Sequence, residues 1–165
     1  YSKKNIRMSS NSTDKLWVVA SVVGVHVGAL LLTKMFNKGK EVKHMVTDVV
    51  AKPGGHYSPA TVHGDKIYIS GILPIKADGT LCKGELEEQV QVCIDNLAAI
   101  CEAGGSHWKN LISTRVYITT TDHWPRFNVV YKEFFGEVKP ARAVVPVPGL
   151  HHGFLCEIEA ICAIP

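Results

Sequence analysis

Apolar positions along this chain fall into two regimes separated by a polar stretch. Residues 16–33, LWVVASVVGVHVGALLLT, form one continuous run with no formal charge. Its eighteen residues, at about 1.5 Å rise each, span roughly 27 Å, close to the hydrocarbon thickness of a bilayer. Trp17 and the flanking Lys15 and Lys34 suit the membrane interface. A cleavable signal peptide and a buried core helix are the alternatives. The basic, bulky TKMFNKGKEVK that follows offers no small-residue cleavage site, and the rest of the chain accounts for a domain by itself. The pattern predicts a transmembrane helix over residues 16–36, preceded by a basic segment at 1–15 and followed by a linker at 37–52. Ala20, Gly24 and Gly28 recur every fourth residue, a small-residue stripe on which another helix could pack.

Beyond Pro53-Gly54-Gly55 the periods shorten, and a domain over 53–165 is expected to begin there. Ala60-Thr61-Val62 and Ile67-Tyr68-Ile69-Ser70 flank His63-Gly64-Asp65-Lys66, a hairpin composition. Residues 85–103 place Leu86, Val90, Cys93, Ile94, Leu97, Ala98 and Cys101 on one helical stripe, stopped by Gly104-Gly105. A strand over 111–119 is read with Ile112, Thr114, Val116 and Ile118 on one side. A second helix is read with Asp122 as N-cap and Trp124, Phe127, Tyr131, Phe134 and Phe135 as its buried face, ending at Gly136. Strands near 143–147 and 154–164 complete a β-β-α-β-α-β-β order, which predicts an α+β sheet with two helices on one face.

Charge divides the chain the same way. Residues 1–45 carry +6 and residues 46–165 carry −3. The domain therefore lacks the basic excess by which nucleic-acid binders neutralise phosphates, and no nucleic-acid partner is expected. The Ser-rich, basic first fifteen residues suit the remnant downstream of an organellar presequence, so the mitochondrial inner membrane is the expected location. Cys82, Cys93, Cys101, Cys156 and Cys162 show no CxxC spacing, and His151-His152 has no third ligand beside it, so no metal is expected. Most of the cysteines read as small buried apolar groups.

Five ordered blocks carry more information: Gly55-His56-Tyr57-Ser58-Pro59-Ala60, Ile69-Ser70-Gly71-Ile72-Leu73-Pro74, Asn128-Val129-Val130-Tyr131-Lys132-Glu133-Phe134-Phe135, Pro140-Ala141-Arg142-Ala143 and Cys156-Glu157-Ile158-Glu159-Ala160. In order and spacing they resemble the RidA/YjgF family over about two-thirds of the chain. The resemblance implies a chorismate-mutase-like α+β fold, a homotrimer with sites in the clefts between subunits, and no cofactor. It also implies hydrolysis of small 2-imino and 2-enamino acids such as 2-aminoacrylate to a 2-keto acid and ammonia. On the matched positions, Arg142 and Glu157 are the catalytic candidates, and Tyr57, Ser70, Gly71 and Asn128 the substrate-binding ones.

The chemistry suits those residue types. A guanidinium offers a planar two-point fork for the carboxylate of a 2-imino acid, and a glutamate can hold a water and exchange a proton with it. Outside the matched blocks Arg142 would read as a surface ion pair, Glu157 as a solvated strand residue and Tyr57 as a core aromatic. The chain departs from the family pattern at His56, Ile72, Ala143 and Val144, which bears on the substrate's side chain more than on the reaction. Two other functions compete: a structural subunit of a membrane complex, such as a respiratory assembly, with the domain as a docking module, and an endoribonuclease, which the −3 domain disfavours.

Overall fold

The computed structural model describes residues 41–165. Eight regular elements follow one another: β1 (Lys43–His44), β2 (Ala60–His63), β3 (Lys66–Ile72), α1 (Leu86–Ala103), β4 (Leu111–Ile118), α2 (His123–Phe135), β5 (Ala141–Pro146) and β6 (Cys156–Ala163). They build one six-stranded sheet in the order β1-β2-β3-β6-β4-β5. The last strand of the chain lies inside the sheet, antiparallel to β3 on one side and to β4 on the other. Only β4 and β5 run parallel, joined through α2. This is the α+β fold with two helices that the strand and helix order predicts.

Strand periodicity decides what each face does. Along β6, Cys156, Ile158, Ala160 and Cys162 are buried while Glu157, Glu159, Ile161 and Ala163 are only partly covered. The buried set packs with Ile67, Ile69 and Ile72 of β3, Val116 and Ile118 of β4, and the apolar stripe of α1. The first hairpin turns on two residues, Gly64 and Asp65, with Gly64 at φ 62° supplying the left-handed conformation that a tight hairpin needs. Four of the five thiols are buried and all five are free, with Cys93 and Cys156 facing each other across the α1–β6 contact at 4.0 Å.

Several local expectations are corrected. Ile112 is exposed, because a bulge between Leu111 and Ser113 shifts the β4–β6 register and turns it away from the core. Asp122 makes no side-chain cap bond; the adjacent Thr120 hydroxyl instead accepts from the Asp122 N–H at 3.3 Å. Trp124, in the first turn of α2, is 45% exposed, and the buried contacts of the helix come from Phe127, Tyr131 and Phe135. The sheet also starts before residue 53: β1 pairs with β2 from within the stretch read as linker, and Val50 is buried. The transmembrane reading at 16–33 lies outside the described residues. Among the described residues no helix is long and apolar enough to cross a membrane.

Replacing Phe127, fully buried, with alanine is expected to cost about 3–5 kcal/mol in urea unfolding, whereas Trp124→Ala on the same helix costs less than about 1 kcal/mol. Equal losses would mean that α2 packs through the whole stripe read from the sequence.

Candidate functional site

The candidate residues separate into two groups within one chain. Tyr57, Ser70, Gly71 and Glu157 line a cleft of about 880 Å³ on one part of the domain. Arg142 and Asn128 meet elsewhere, where β5 closes the sheet edge against α2.

In the cleft, Glu157 comes from the face of β6 opposite the helices. The bulge in β3 between Ile69 and Ile72 brings Ser70 and Gly71 alongside it. Gly71 leaves room there for Glu157: a Cβ at that position would overlap the present position of its carboxylate, with Cδ only 3.0 Å away. Ser70 is held by its own polar atoms, the hydroxyl donating to the Ser58 carbonyl at 2.8 Å and the N–H to the Pro59 carbonyl at 3.0 Å. Tyr57 stands 55% exposed at the rim, its ring under Gly55, so it is a cleft residue rather than a core one. Ile72, by contrast, is buried in the core. It nonetheless lines the inner end of the cleft, so its departure from the family pattern bears on both packing and lining.

The two glutamates of β6 share a face but not a state. Glu159 is paired with Arg115 and accepts from the Tyr117 hydroxyl at 3.3 Å. Glu157 is half-buried and has no hydrogen-bonded partner acting on it among the described residues. Burial pushes its carboxyl above the ordinary range, His151 pulls it back and Glu159 raises it further. A carboxylate so placed has no structural tie of its own among the described residues.

Arg142 is pre-set from behind. It sits in register with Thr114 of β4, on the helix side of the sheet. One Nη2–H donates to Asn128 Oδ1 at 3.0 Å, and the guanidinium lies 4.5 Å over the ring of Tyr131, one helical turn after Asn128. Tyr131 is in turn fixed by a 2.9 Å hydroxyl–hydroxyl bond to the buried Thr114, and burial raises its phenol above the ordinary value. Asn128 thus orients the arginine, and the remaining guanidinium donors are available to a ligand. Tyr131 and Thr114 thus support Arg142, a connection the sequence pattern did not state. The signal was present in the three-residue spacing of Asn128 and Tyr131, which puts both on one helical face.

Arg142 and Glu157 therefore stand on opposite faces of one sheet, and a single chain does not bring them together. Among the described residues no group of three or more His, Cys, Asp or Glu is arranged to hold a metal ion.

Comparison with known proteins bears on this arrangement. The profile of the family Endoribonuclease L-PSP matches residues 48–164. A RutC family protein of Pyrococcus abyssi is 38% identical over 123 residues, covering 74% of this chain and 95% of its own. A 2-iminobutanoate/2-iminopropanoate deaminase of Dermatophagoides farinae is 30% identical over 119 residues, 72% of this chain and 93% of that protein. The crystal structure of RidA from the Antarctic bacterium Psychrobacter superposes with a TM-score of 0.71 at 32% identity, covering 74% of this chain and 99% of that one.

Gly71→Ala is expected to turn the Glu157 carboxylate aside, visible as a changed rotamer in a crystal structure, at a stability cost below about 1 kcal/mol because the displaced atoms end a flexible side chain. An unmoved carboxylate would mean that β3 yields instead.

Proposed function

Because the chain belongs to the Endoribonuclease L-PSP family, the RidA/YjgF family, we propose that it hydrolyses small 2-imino and 2-enamino acids to 2-keto acids and ammonia. The observation that carries the reading is that one chain presents both an oriented guanidinium and an unengaged, half-buried glutamate, in a family that includes an imine deaminase.

In this reading Arg142 grips the substrate carboxylate with the guanidinium donors that Asn128 leaves unused. Glu157 holds a water and accepts its proton as the oxygen bonds to C2. The C2–N double bond opens to a single bond as the nitrogen takes that proton; Glu157 then carries the remaining hydroxyl proton to the nitrogen, the C2–N bond breaks, ammonia leaves and the C2–O bond becomes a carbonyl. One water is consumed and no electrons are exchanged, so the chemistry asks for positioning and proton transfer alone. Bare backbone at Gly71 lets the reacting carbon approach the carboxylate. Because the two groups sit on opposite sheet faces, the reading requires Arg142 of one subunit to face Glu157 of another, as in the trimer that the family resemblance implies. Ala143 is exposed and Val144 half-buried on β5, so they are placed to shape the floor of such a shared site.

RNA cleavage, the activity in the family's description, is less well supported, since residues 46–165 carry −3 and offer no basic excess for a phosphate backbone. The uncharged run at 16–33 supports tethering of this domain to a membrane, with the mitochondrial inner membrane as our candidate. Carbonate extraction tests the tether: the full chain should remain in the pellet, and its release would remove the anchor from the proposal.

For the activity, 2-iminopropionate generated in situ by an amino-acid oxidase should be hydrolysed faster by the full chain than by buffer. Arg142→Lys keeps the charge but not the fork, so it should lose about 2–4 kcal/mol of transition-state binding, roughly 30- to 1,000-fold in kcat/KM, while remaining folded. A folded wild-type assembly with no acceleration would reject the reading.

A further inference from the structure

Arg142 projects from β5, an edge strand, where a long side chain is free to sample several rotamers unless something holds it. Its guanidinium is held at two places. Asn128 Oδ1 accepts one Nη2–H at 3.0 Å, and the Tyr131 ring lies under the cation with its centroid 4.5 Å from Cζ. The two constraints differ in kind. A single hydrogen bond fixes a point about which the flat group can still swing, whereas a ring face beneath it limits how far its plane can tilt.

The ring itself is anchored in the core. Tyr131 is buried between Phe127 and Phe135, one helical turn before and after it on α2, at centroid distances of 5.5 and 4.2 Å. Both phenylalanines are buried, and Trp108 meets Phe135 edge-on at 5.8 Å. At its tip the phenol shares a 2.9 Å hydroxyl–hydroxyl bond with Thr114, the β4 residue in register with Arg142. One side chain of α2 therefore meets two paired strands, its hydroxyl on β4 and its face on β5. The platform is rigid because the core holds it, and the cation at the strand edge takes its order from the platform.

We propose that Tyr131 is a positioning residue whose ring face fixes the plane of the Arg142 fork, and thereby the place that the reacting carbon of a bound carboxylate takes. The catalytic consequence rests on the imine-hydrolysis reading. A carboxylate gripped by two N–H groups lies in the plane of the guanidinium, and C2 is bonded directly to it. A fork that tilts keeps both hydrogen bonds but carries C2 away from the attacking water. Loss of the ring is therefore felt in kcat more than in KM.

The platform can be measured without the reaction. With the full chain, the 1H–15N resonance of the Arg142 Nε–H, assigned through Arg142→Lys, is followed beside kcat and KM for 2-iminopropionate. Ring currents move protons above an aromatic face upfield. The wild-type resonance should lie upfield, stay there in Tyr131→Phe and return to the ordinary arginine range in Tyr131→Leu. In Tyr131→Leu kcat should fall roughly 3- to 30-fold while KM changes less than about 3-fold. Pentafluorophenylalanine at position 131 keeps the shape of the Tyr131→Phe ring but removes the negative charge of its face, so its kcat should lie below that of Tyr131→Phe. Equal kcat for those two would overturn the role of the ring, whatever Tyr131→Leu does to folding. An unmoved resonance in a folded Tyr131→Leu chain, or a rise in KM at constant kcat, would also overturn it. A moved resonance in a chain that hydrolyses no imine would uphold the platform and reject the reaction.

Discussion

Two-residue alternation along β6 is the constraint on which most of this structure depends. Because the strand is hydrogen-bonded on both sides, its register is fixed twice, and a slip by one residue would turn every side chain to the other face. Cys156, Ile158, Ala160 and Cys162 must face the helices, and Glu157 and Glu159 are thereby sent to the opposite face. The hydrophobic core thus places the carboxylate. No interaction of Glu157 itself is needed to hold the strand, which leaves its charge for other uses.

Buried polar side chains carry that order from the core to the cleft. Gln89, nearly fully buried on α1, donates to the Gly84 carbonyl at 2.9 Å and accepts from the Leu155 N–H at the same distance. Asn96, two turns on, donates to the Ile75 carbonyl at 2.8 Å. Each side chain ties α1 to a loop, Gln89 to the entry of β6 and Asn96 to the segment after β3. Losing either would remove those ties, at about 1 kcal/mol per hydrogen bond. Their value to the site lies in holding loops that carry no regular structure.

Much of this was legible in the sequence, for reasons that can be named. The α1 stripe and its glycine stop follow from period and from Gly105, which takes φ 81°. The ordered blocks around Ser70-Gly71 and Glu157 fall on one cleft, and the block around Arg142 falls on the β5 edge beside α2. What escaped was set by three-dimensional context. Ile112 keeps the alternation of its strand until a bulge removes it, and Trp124 keeps the period of its helix but sits in the first turn and stays exposed. Tyr131 reads as core and is core, yet its upper face supports a guanidinium. The division of Arg142 from Glu157 depends on strand order, with β6 inserted between β3 and β4, and no pattern along the chain encodes that order directly.

The separation of the two charged groups onto opposite sheet faces also has a consequence for how such a protein responds to dilution. When half of a reactive centre belongs to each of two chains, the folded chain alone is an incomplete unit, and competence follows the association equilibrium rather than the folding equilibrium. Activity per chain then falls as concentration drops below the dissociation constant of the assembly, even with every chain folded. Two-dimensional crowding on a surface raises the local concentration of neighbours, so confinement would act on such a centre as an amplifier without touching its chemistry.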